Sequence, residues 1–380
     1  MSKATLRWGI ISTGGIATSF TKTGRRDASD VSHHVAAVGS RSVASAEAFI
    51  SKIEASPAPT SWGVEQGLMK NCKAYGTYSE VYNDPNVNVV YIGTPHVFHF
   101  ENARDALNAG KHVLCEKPIT FDLEELDILI ALAKEKNLFL MEALWARFHP
   151  IAYAVEELVL SGKLGKVKRV VGELAVDFDT ENMDINSRMI AADLAGGALL
   201  DLGPYPLFWT MLVVHRDPVS RNSPPKVVTS YQTVNPRTFV DNSSSWTLEW
   251  DSGIRANLST DFTVTGLADQ SIAIQFEEGN IVIPFPPFKA EHFWIQPLGK
   301  PKGESRADTI REVSRHDYPL PPGGGMSQEA DEVARCIRDG KVESERMPLE
   351  ESRVQMRIFD TVRRAGPTVL KDMKGRSQQA

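Results

Sequence analysis

The sequence predicts an α/β domain over residues 1–145, followed over residues 146–380 by an α+β domain with a large, mainly antiparallel open sheet. Two observations carry that expectation. Through the first 145 residues, short apolar runs alternate with stretches of helical spacing, the rhythm of a parallel sheet with crossover helices. Beyond residue 165, strand-like runs follow one another. Compact turns such as Asp251-Ser252-Gly253 and Glu278-Gly279-Asn280 join them as antiparallel hairpins. A length of 380 residues suffices for two cores of ordinary size.

Taken in order, residues 6–11 form an apolar-rich strand that runs into Ser12-Thr13-Gly14-Gly15-Ile16-Ala17. This approximates the G-x-G-x-x-G/A turn of a Rossmann dinucleotide-binding domain, with Ser12 at the first glycine position and Ala17 at the third. Gly14 would let backbone approach a pyrophosphate, and N–H groups opening the next helix would face the phosphates. The second strand, 34–38, leads into Gly39-Ser40-Arg41-Ser42. An NAD site usually places an acid here for the ribose 2′-hydroxyl. None is present, and an arginine between two serines suits the 2′-phosphate of NADP. Ser12, Gly14, Gly15, Ile16, Ser40, Arg41 and Ser42 are therefore candidate NADP contacts.

Residues 56–72, opening with Ser56-Pro57-Ala58-Pro59, read as a surface insertion. Strand 87–92 then ends in Gly93-Thr94-Pro95-His96-Val97-Phe98-His99, and a helix runs to 109. Strand 112–115 delivers Glu116-Lys117-Pro118. The carboxyl ends of such strands line the ligand crevice of an open α/β sheet, and lysine is costly there unless something anionic or reacting uses it. The alternative is a solvated lysine and a turn proline. His96 and His99 stand three apart with no carboxylate or cysteine cluster near in sequence, so no metal site is expected. They read as loop histidines beside a cofactor, or as capping residues. A helix over 122–135 and a strand over 138–141 complete the domain, ahead of Trp145 and Arg147.

In the second half, strands are expected at 166–178, 227–234, 244–250, 254–262 and 271–276. Among them lies Ala195-Gly196-Gly197-Ala198-Leu199-Leu200-Asp201-Leu202-Gly203-Pro204-Tyr205. Asp201 and Tyr205, four apart, share a face if this stretch winds into a helix. Glycines on both sides of the aspartate suggest close approach by a ligand, against the alternative of a capping aspartate and a core tyrosine. Gly323-Gly324-Gly325-Met326 reads as a flexible entry to a helix ending at Gly340, and a last helix runs from Pro348 to about Arg364.

The composition, 42% hydrophobic and 24% charged, is that of a soluble globular protein. A net charge of −6 without a basic block argues against a nucleic-acid binder, and no apolar run reaches membrane-spanning length. Cys72, Cys115 and Cys336 are scattered, and the amino terminus enters a strand too soon for a secretory signal; a cytoplasmic location is expected.

Four segments in one order carry a family pattern: the Gly14 turn, Thr94-Pro95-His96-x-x-His99, Glu116-Lys117-Pro118, and Gly197 through Tyr205. Together they resemble the glucose–fructose oxidoreductase/inositol dehydrogenase (Gfo/Idh/MocA) family, in its branch of dimeric dihydrodiol dehydrogenases and NADP-dependent D-xylose dehydrogenases. Ser12 for the first glycine, and Tyr205 where much of the family has histidine, fit that branch. His96 departs from the family's usual asparagine, and Ala198 replaces a glycine. The resemblance implies hydride transfer between NADP and a sugar C1 hydroxyl, as in a D-xylose 1-dehydrogenase giving xylonolactone. The alternatives are a trans-1,2-dihydrobenzene-1,2-diol dehydrogenase and, lower, a regulatory protein that senses sugar and NADP without turnover. It also implies roles: Tyr205 as acid/base, Lys117 as its electrostatic partner and a contact to the nicotinamide ribose, and Asp201 on a second substrate hydroxyl. Trp145 would be an apolar wall. Thr94, His96, His99, Glu116 and Arg147 would line the cofactor. A homodimer through the open sheet face is implied as well.

Overall fold

The computed structural model describes residues 3–23, 28, 30–56, 68–216, 220, 223–299, 312–320 and 325–370. Most of the expected insertion (57–67), Gly323-Gly324 and the carboxyl tail lie outside the described residues. Two compact units divide the chain. Residues within 1–148 and 321–356 form one, and those within 149–320 and from 357 onward form the other.

In the first unit, β1 (Ala4–Ile11), β2 (Val31–Gly39), β3 (Lys73–Tyr75), β4 (Val89–Ile92), β5 (His112–Glu116) and β6 (Leu140–Ala143) form a parallel sheet of order β3-β2-β1-β4-β5-β6. Every residue of β4 and of β6 is buried, as expected where helices cover both faces of a parallel sheet. Between strands run α1 (Gly15–Thr23), α2 (Val43–Ala55), α3 (Tyr78–Asn83), α4 (His99–Asn108) and α5 (Leu123–Glu135). Local chemistry starts them: Thr77 and Glu80 form a capping box on α3, and Asp122 accepts from Glu125 N to cap α5. The strand order reverses between β1 and β4, so the turn after β1 opens into the ligand crevice of this topology.

The second unit opens with α6 (Pro150–Ser161), β7 (Val167–Ala175), α7 (Ala198–Leu202) and α8 (Pro204–Thr210), which a π-helical turn, Met211–His215, continues. Then come β8 (Lys226–Val234), β9 (Asp241–Glu249), β10 (Arg255–Asp261), β11 (Ile272–Phe276), β12 (Gly279–Ile283), β13 (His292–Pro297) and β14 (Ser314–Asp317). The eight strands are ordered β14-β13-β12-β11-β7-β10-β9-β8, and only β7 with β10 pairs in parallel. β12 to β14 extend the sheet beyond the expected strands; β14, Ser-Arg-His-Asp, has no apolar residue to signal it. The helical stretch Ala192–His215 has the length and hydropathy of a membrane span, yet its apolar window is wholly buried, as in a core helix. The opposite face of the sheet is polar, with Arg169 on Gln275, Thr247 on Asn257 and Arg255 on Glu249 at 2.7, 3.1 and 3.0 Å.

Two helices close the chain, α9 (Met326–Arg338) and α10 (Leu349–Ala365). The structure corrects the expected assignment of everything after residue 145 to the second domain. Residues 325–356 pack with the first sheet instead, and the division between the units falls within α10. Asp331 on α9 meets His33 Nε2 at 3.0 Å, and His33 Nδ1 accepts from Trp8 Nε1 at 3.1 Å. Leu140 N, on the edge strand β6, donates to Val342 O at 3.1 Å. An amphipathic helix shows which of its faces is apolar but not which sheet that face covers, so the sequence left this open.

Candidate active site

The sequence-expected cofactor residues of the first unit follow the carboxyl ends of β1, β2, β4 and β5 and so share one edge of the sheet. Ser12 takes the left-handed backbone conformation, φ 88°, which explains why glycine suits this position. Its Oγ accepts from Gly14 N at 3.3 Å, a local bond that helps hold the turn. A Cβ at Gly15 would meet nothing within 4 Å, and one at Gly14 only Ser12 Oγ at 3.5 Å. The side-chain positions at the start of α1 are therefore open, and the backbone there leaves room for a pyrophosphate. Gly93, after β4, comes close enough that an added Cβ would lie 3.4 Å from Ala17 Cβ, the tight approach the small residue permits.

After β2, Ser40 is buried with its Oγ 3.3 Å from Thr13 Oγ1, while Arg41 is exposed. Burial raises the pKa of Tyr78, and the Arg41 charge opposes the rise. The Ser42 hydroxyl caps α2 by accepting from Ser45 N at 3.2 Å.

Lys117 sits half-buried in a turn held on several sides, and its bond to Pro118 is cis. Lys117 N donates to Glu116 Oε2 at 3.3 Å, Ile119 N to Glu142 Oε1 at 3.3 Å, and the Pro118 carbonyl lies 2.8 Å from His99 Nδ1. Tyr91 Oη donates to Glu116 Oε1 at 2.6 Å. Glu142, which the sequence reading passed over, is fully buried and bound by Ser352 Oγ and Gln355 Nε2 at 2.6 and 2.7 Å. Burial raises its pKa, opposed by those donors and by the Lys117 charge.

Two expected cofactor contacts take other roles. His99 is fully buried, and its Nε2 lies 2.8 Å from Thr94 O, so both ring nitrogens face backbone carbonyls. Burial lowers its pKa while those carbonyls raise it. It braces the Lys117 turn rather than presenting an edge to a ligand. Arg147, 1% exposed, donates Nε to Arg346 O at 2.7 Å and pairs with Glu351. A guanidinium so committed ties its 3₁₀ turn, Trp145–Phe148, to the chain before α10. Thr94 Oγ1 accepts from Asn102 Nδ2 at 3.1 Å, His96 is buried with its ring 5.7 Å from that of His99, and Trp145 is half-buried.

In the second unit, Asp201 on α7 and Tyr205 on α8 are 8% and 7% exposed. Asp201 Oδ1 accepts from Arg188 Nη1 at 3.2 Å, and the Tyr205 ring lies 5.0 Å from that of Phe288. Neither spacing marks a partner in the sequence, Arg188 standing in the loop ahead of α7 and Phe288 in a loop far along the chain. The glycines ahead of Asp201 serve packing, contrary to the expected ligand approach. A Cβ at Gly196 would lie 2.7 Å from Met189 O, and one at Gly197, φ 121°, would collide with Asp241 Oδ1. That buried Asp241 accepts from Leu199 N at 2.7 Å and so caps α7 from across the fold.

The family model for oxidoreductases with an NAD-binding Rossmann fold, GFO/IDH/MocA, matches residues 6–144, and that for the GFO/IDH/MocA C-terminal domain matches residues 153–282. This chain belongs to the GFO/IDH/MocA oxidoreductase family. It is similar to a D-xylose 1-dehydrogenase (NADP(+)) of Hypocrea jecorina, 36% identical over 95% of this chain and 92% of the relative. It is also similar to the human trans-1,2-dihydrobenzene-1,2-diol dehydrogenase, 31% identical over 97% of this chain and 99% of the relative. Among solved structures, a 3-ketoreductase from Actinomadura kijaniata in complex with TDP-benzene and NADP matches at TM-score 0.72 and 21% identity, covering 95% of this chain and 98% of that one. An aldose–aldose oxidoreductase from Caulobacter crescentus matches at TM-score 0.73 and 22% identity, over 95% and 97%. These two share the fold.

Proposed function

We propose that this GFO/IDH/MocA oxidoreductase is an NADP-dependent dehydrogenase that oxidises the C1 hydroxyl of an aldose such as D-xylose to the lactone. The greater identity to the fungal D-xylose dehydrogenase than to the diol dehydrogenase carries the choice of substrate. A trans-dihydrodiol is the second reading, favoured by the aromatic contact of Tyr205 with Phe288. NADP, taken up at the start of α1 and at Ser40-Arg41-Ser42, supplies the hydride acceptor.

The chain's own residues move the proton. Tyr205 takes it from the reacting hydroxyl, a task for which an ordinary phenol, with a pKa of about 10, is too weak a base near neutrality. The Lys117 ammonium is assigned the role of stabilising the phenolate, since a nearby cation favours the charged form. The Glu142 and His99 bonds fix the turn that carries it. Asp201 accepts from a second hydroxyl, and Trp145 walls the site. To the same proposal belong a homodimer through the polar sheet face and a cytoplasmic location, with which the free thiols of Cys72, Cys115 and Cys336 are compatible.

Tyr205→Phe tests the reading, because it keeps the ring and removes the phenolic oxygen. NADPH binding should persist while turnover falls by roughly 10² to 10⁴, the usual cost of losing a general acid/base. Lys117→Met should be comparably damaging, and the double variant little worse than either single one. Near-normal turnover by Tyr205→Phe on a good substrate would place the base elsewhere.

A further inference from the structure

Asp201 is paired before any substrate arrives. Arg188 reaches it with a side chain 55% exposed, against 12% for the aspartate. An exposed ion pair on a loop ordinarily contributes little, because the long side chain is free to wander. This loop is built to prevent that. Ser187 N donates to Asp184 O at 2.9 Å, Ala191 N to Ser187 O at 2.8 Å, Gly196 N to Ala191 O at 2.9 Å and Gly197 N to Met189 O at 2.8 Å. At its far end, Arg237 donates Nη1 to Glu181 O at 2.9 Å and Nη2 to Met183 O. The backbone bearing Arg188 is thereby fixed against the start of α7, the helix that carries Asp201.

A guanidinium has five N–H donors, and Asp201 is the partner recorded for Arg188 among the described residues. The remaining donors stand beside a carboxylate that accepts. Such a pair is neutral overall, and each half offers what a hydroxyl lacks a partner for, since a hydroxyl both donates and accepts. It suits neighbouring hydroxyls of an uncharged polyol better than an acid or a phosphate, which the aspartate would repel.

We propose that Arg188 is a specificity-determining residue that binds the hydroxyl next to the one held by Asp201. The site then reads three consecutive oxygens of a neutral sugar: the reacting one at Tyr205, the second at Asp201 and the third at Arg188. This rests on the roles given above to Tyr205 and Asp201. An arene dihydrodiol has only two oxygens and leaves Arg188 unused.

The test compares kcat/KM for D-xylose and 3-deoxy-D-xylose in the wild-type protein, Arg188→Met and Arg188→Lys, with trans-dihydrobenzenediol as a further substrate. Fluorescence titration with NADPH reports that each variant folds and takes up cofactor. The wild type should prefer D-xylose over its 3-deoxy analogue by roughly tenfold to a hundredfold, the scale of a charged hydrogen bond. Arg188→Met should erase that preference, and Arg188→Lys, which keeps the charge but not the fork, should retain part of it. Equal losses on both sugars would overturn the proposal, because Arg188 would then merely hold Asp201 in place. So would a wild type that ignores the 3-hydroxyl. A wild type that turns over the diol but no aldose would instead sink the substrate reading, and this inference with it.

Discussion

Asp241 shows how a buried carboxylate can govern the start of a helix, α7, that lies far from it in sequence. It opens β9 with no exposed surface, and its Oδ2 accepts from Leu199 N at 2.7 Å and Ser244 Oγ at 2.9 Å. Its Oδ1 packs where Gly197 lacks a Cβ. Burial pushes its pKa up from 3.8 to about 6, against the Leu199 N–H, Ser244 and the Arg363 charge. Between those values the folded chain keeps a proton that the unfolded chain has released. Its stabilising contribution is therefore complete below pH 3.8, declines as pH rises, and is lost above about 6. At about 1.36 kcal/mol per pH unit, the full change is on the order of 3 kcal/mol. Asp241→Asn keeps the shape and an oxygen for Leu199 N but cannot ionise. Relative to wild type, the variant should gain about that much between pH 4 and pH 7. Urea unfolding of both proteins at intervals across this range measures it, and the difference between them cancels other titrating groups. Parallel stability curves would refute the reasoning, since they would mean that Asp241 titrates alike in the folded and unfolded chains.

Three further expectations are open to direct measurement. Arg41→Ala should raise the Michaelis constant for NADP by tenfold to a hundredfold, the scale of a lost charged hydrogen bond, and that for NAD far less; equal effects would remove the 2′-phosphate assignment. Glu329 is fully buried, its carboxylate oxygens have no hydrogen-bond partner among the described residues, and burial with the nearby Glu116 raises its pKa well above the usual range. Glu329→Gln should therefore leave the melting temperature near wild type at pH 4 and raise it at pH 8, because the unfolded wild-type chain gains by ionising as pH rises; a fall at pH 8 would contradict this. Sedimentation at micromolar protein should give a dimer, burying more than about 1,200 Å² in total, and a substitution such as Asn257→Asp on the polar sheet face should weaken it; a monomer would remove the interface.

The parallel sheet was legible because period and punctuation agree: apolar runs of strand length end in glycine or polar turns that open helices. The antiparallel sheet was legible only where strands carry apolar residues and tight turns. β14, Ser314-Arg315-His316-Asp317, pairs with β13 by backbone bonds that no side-chain pattern of its own announces. Strand-end positions were readable because topology fixes them, as at Ser12, Ser40 and Lys117. Partners supplied from far along the chain were not: Asp241 for Leu199 N, and Ser352 and Gln355 for Glu142. A hydrogen bond between residues two hundred positions apart leaves no spacing to detect.

The same limit explains why His99 and Arg147 were read as cofactor contacts. A polar residue near a strand end can face the crevice or hold the turn that does, and the sequence pattern is identical in both cases. Burial separates them. Both nitrogens of His99 face carbonyls, and Arg147, 1% exposed, is bonded to Glu351 and Arg346. Lys117 is half-buried in a turn that Glu142 and His99 hold. Fixing the turn from both sides limits how far the backbone that bears Lys117 can wander, and the cost of that order is met during folding. The polar residues that the motif clusters around Lys117 thus include several, Glu116, Glu142 and His99, whose bonds hold the turn that carries it.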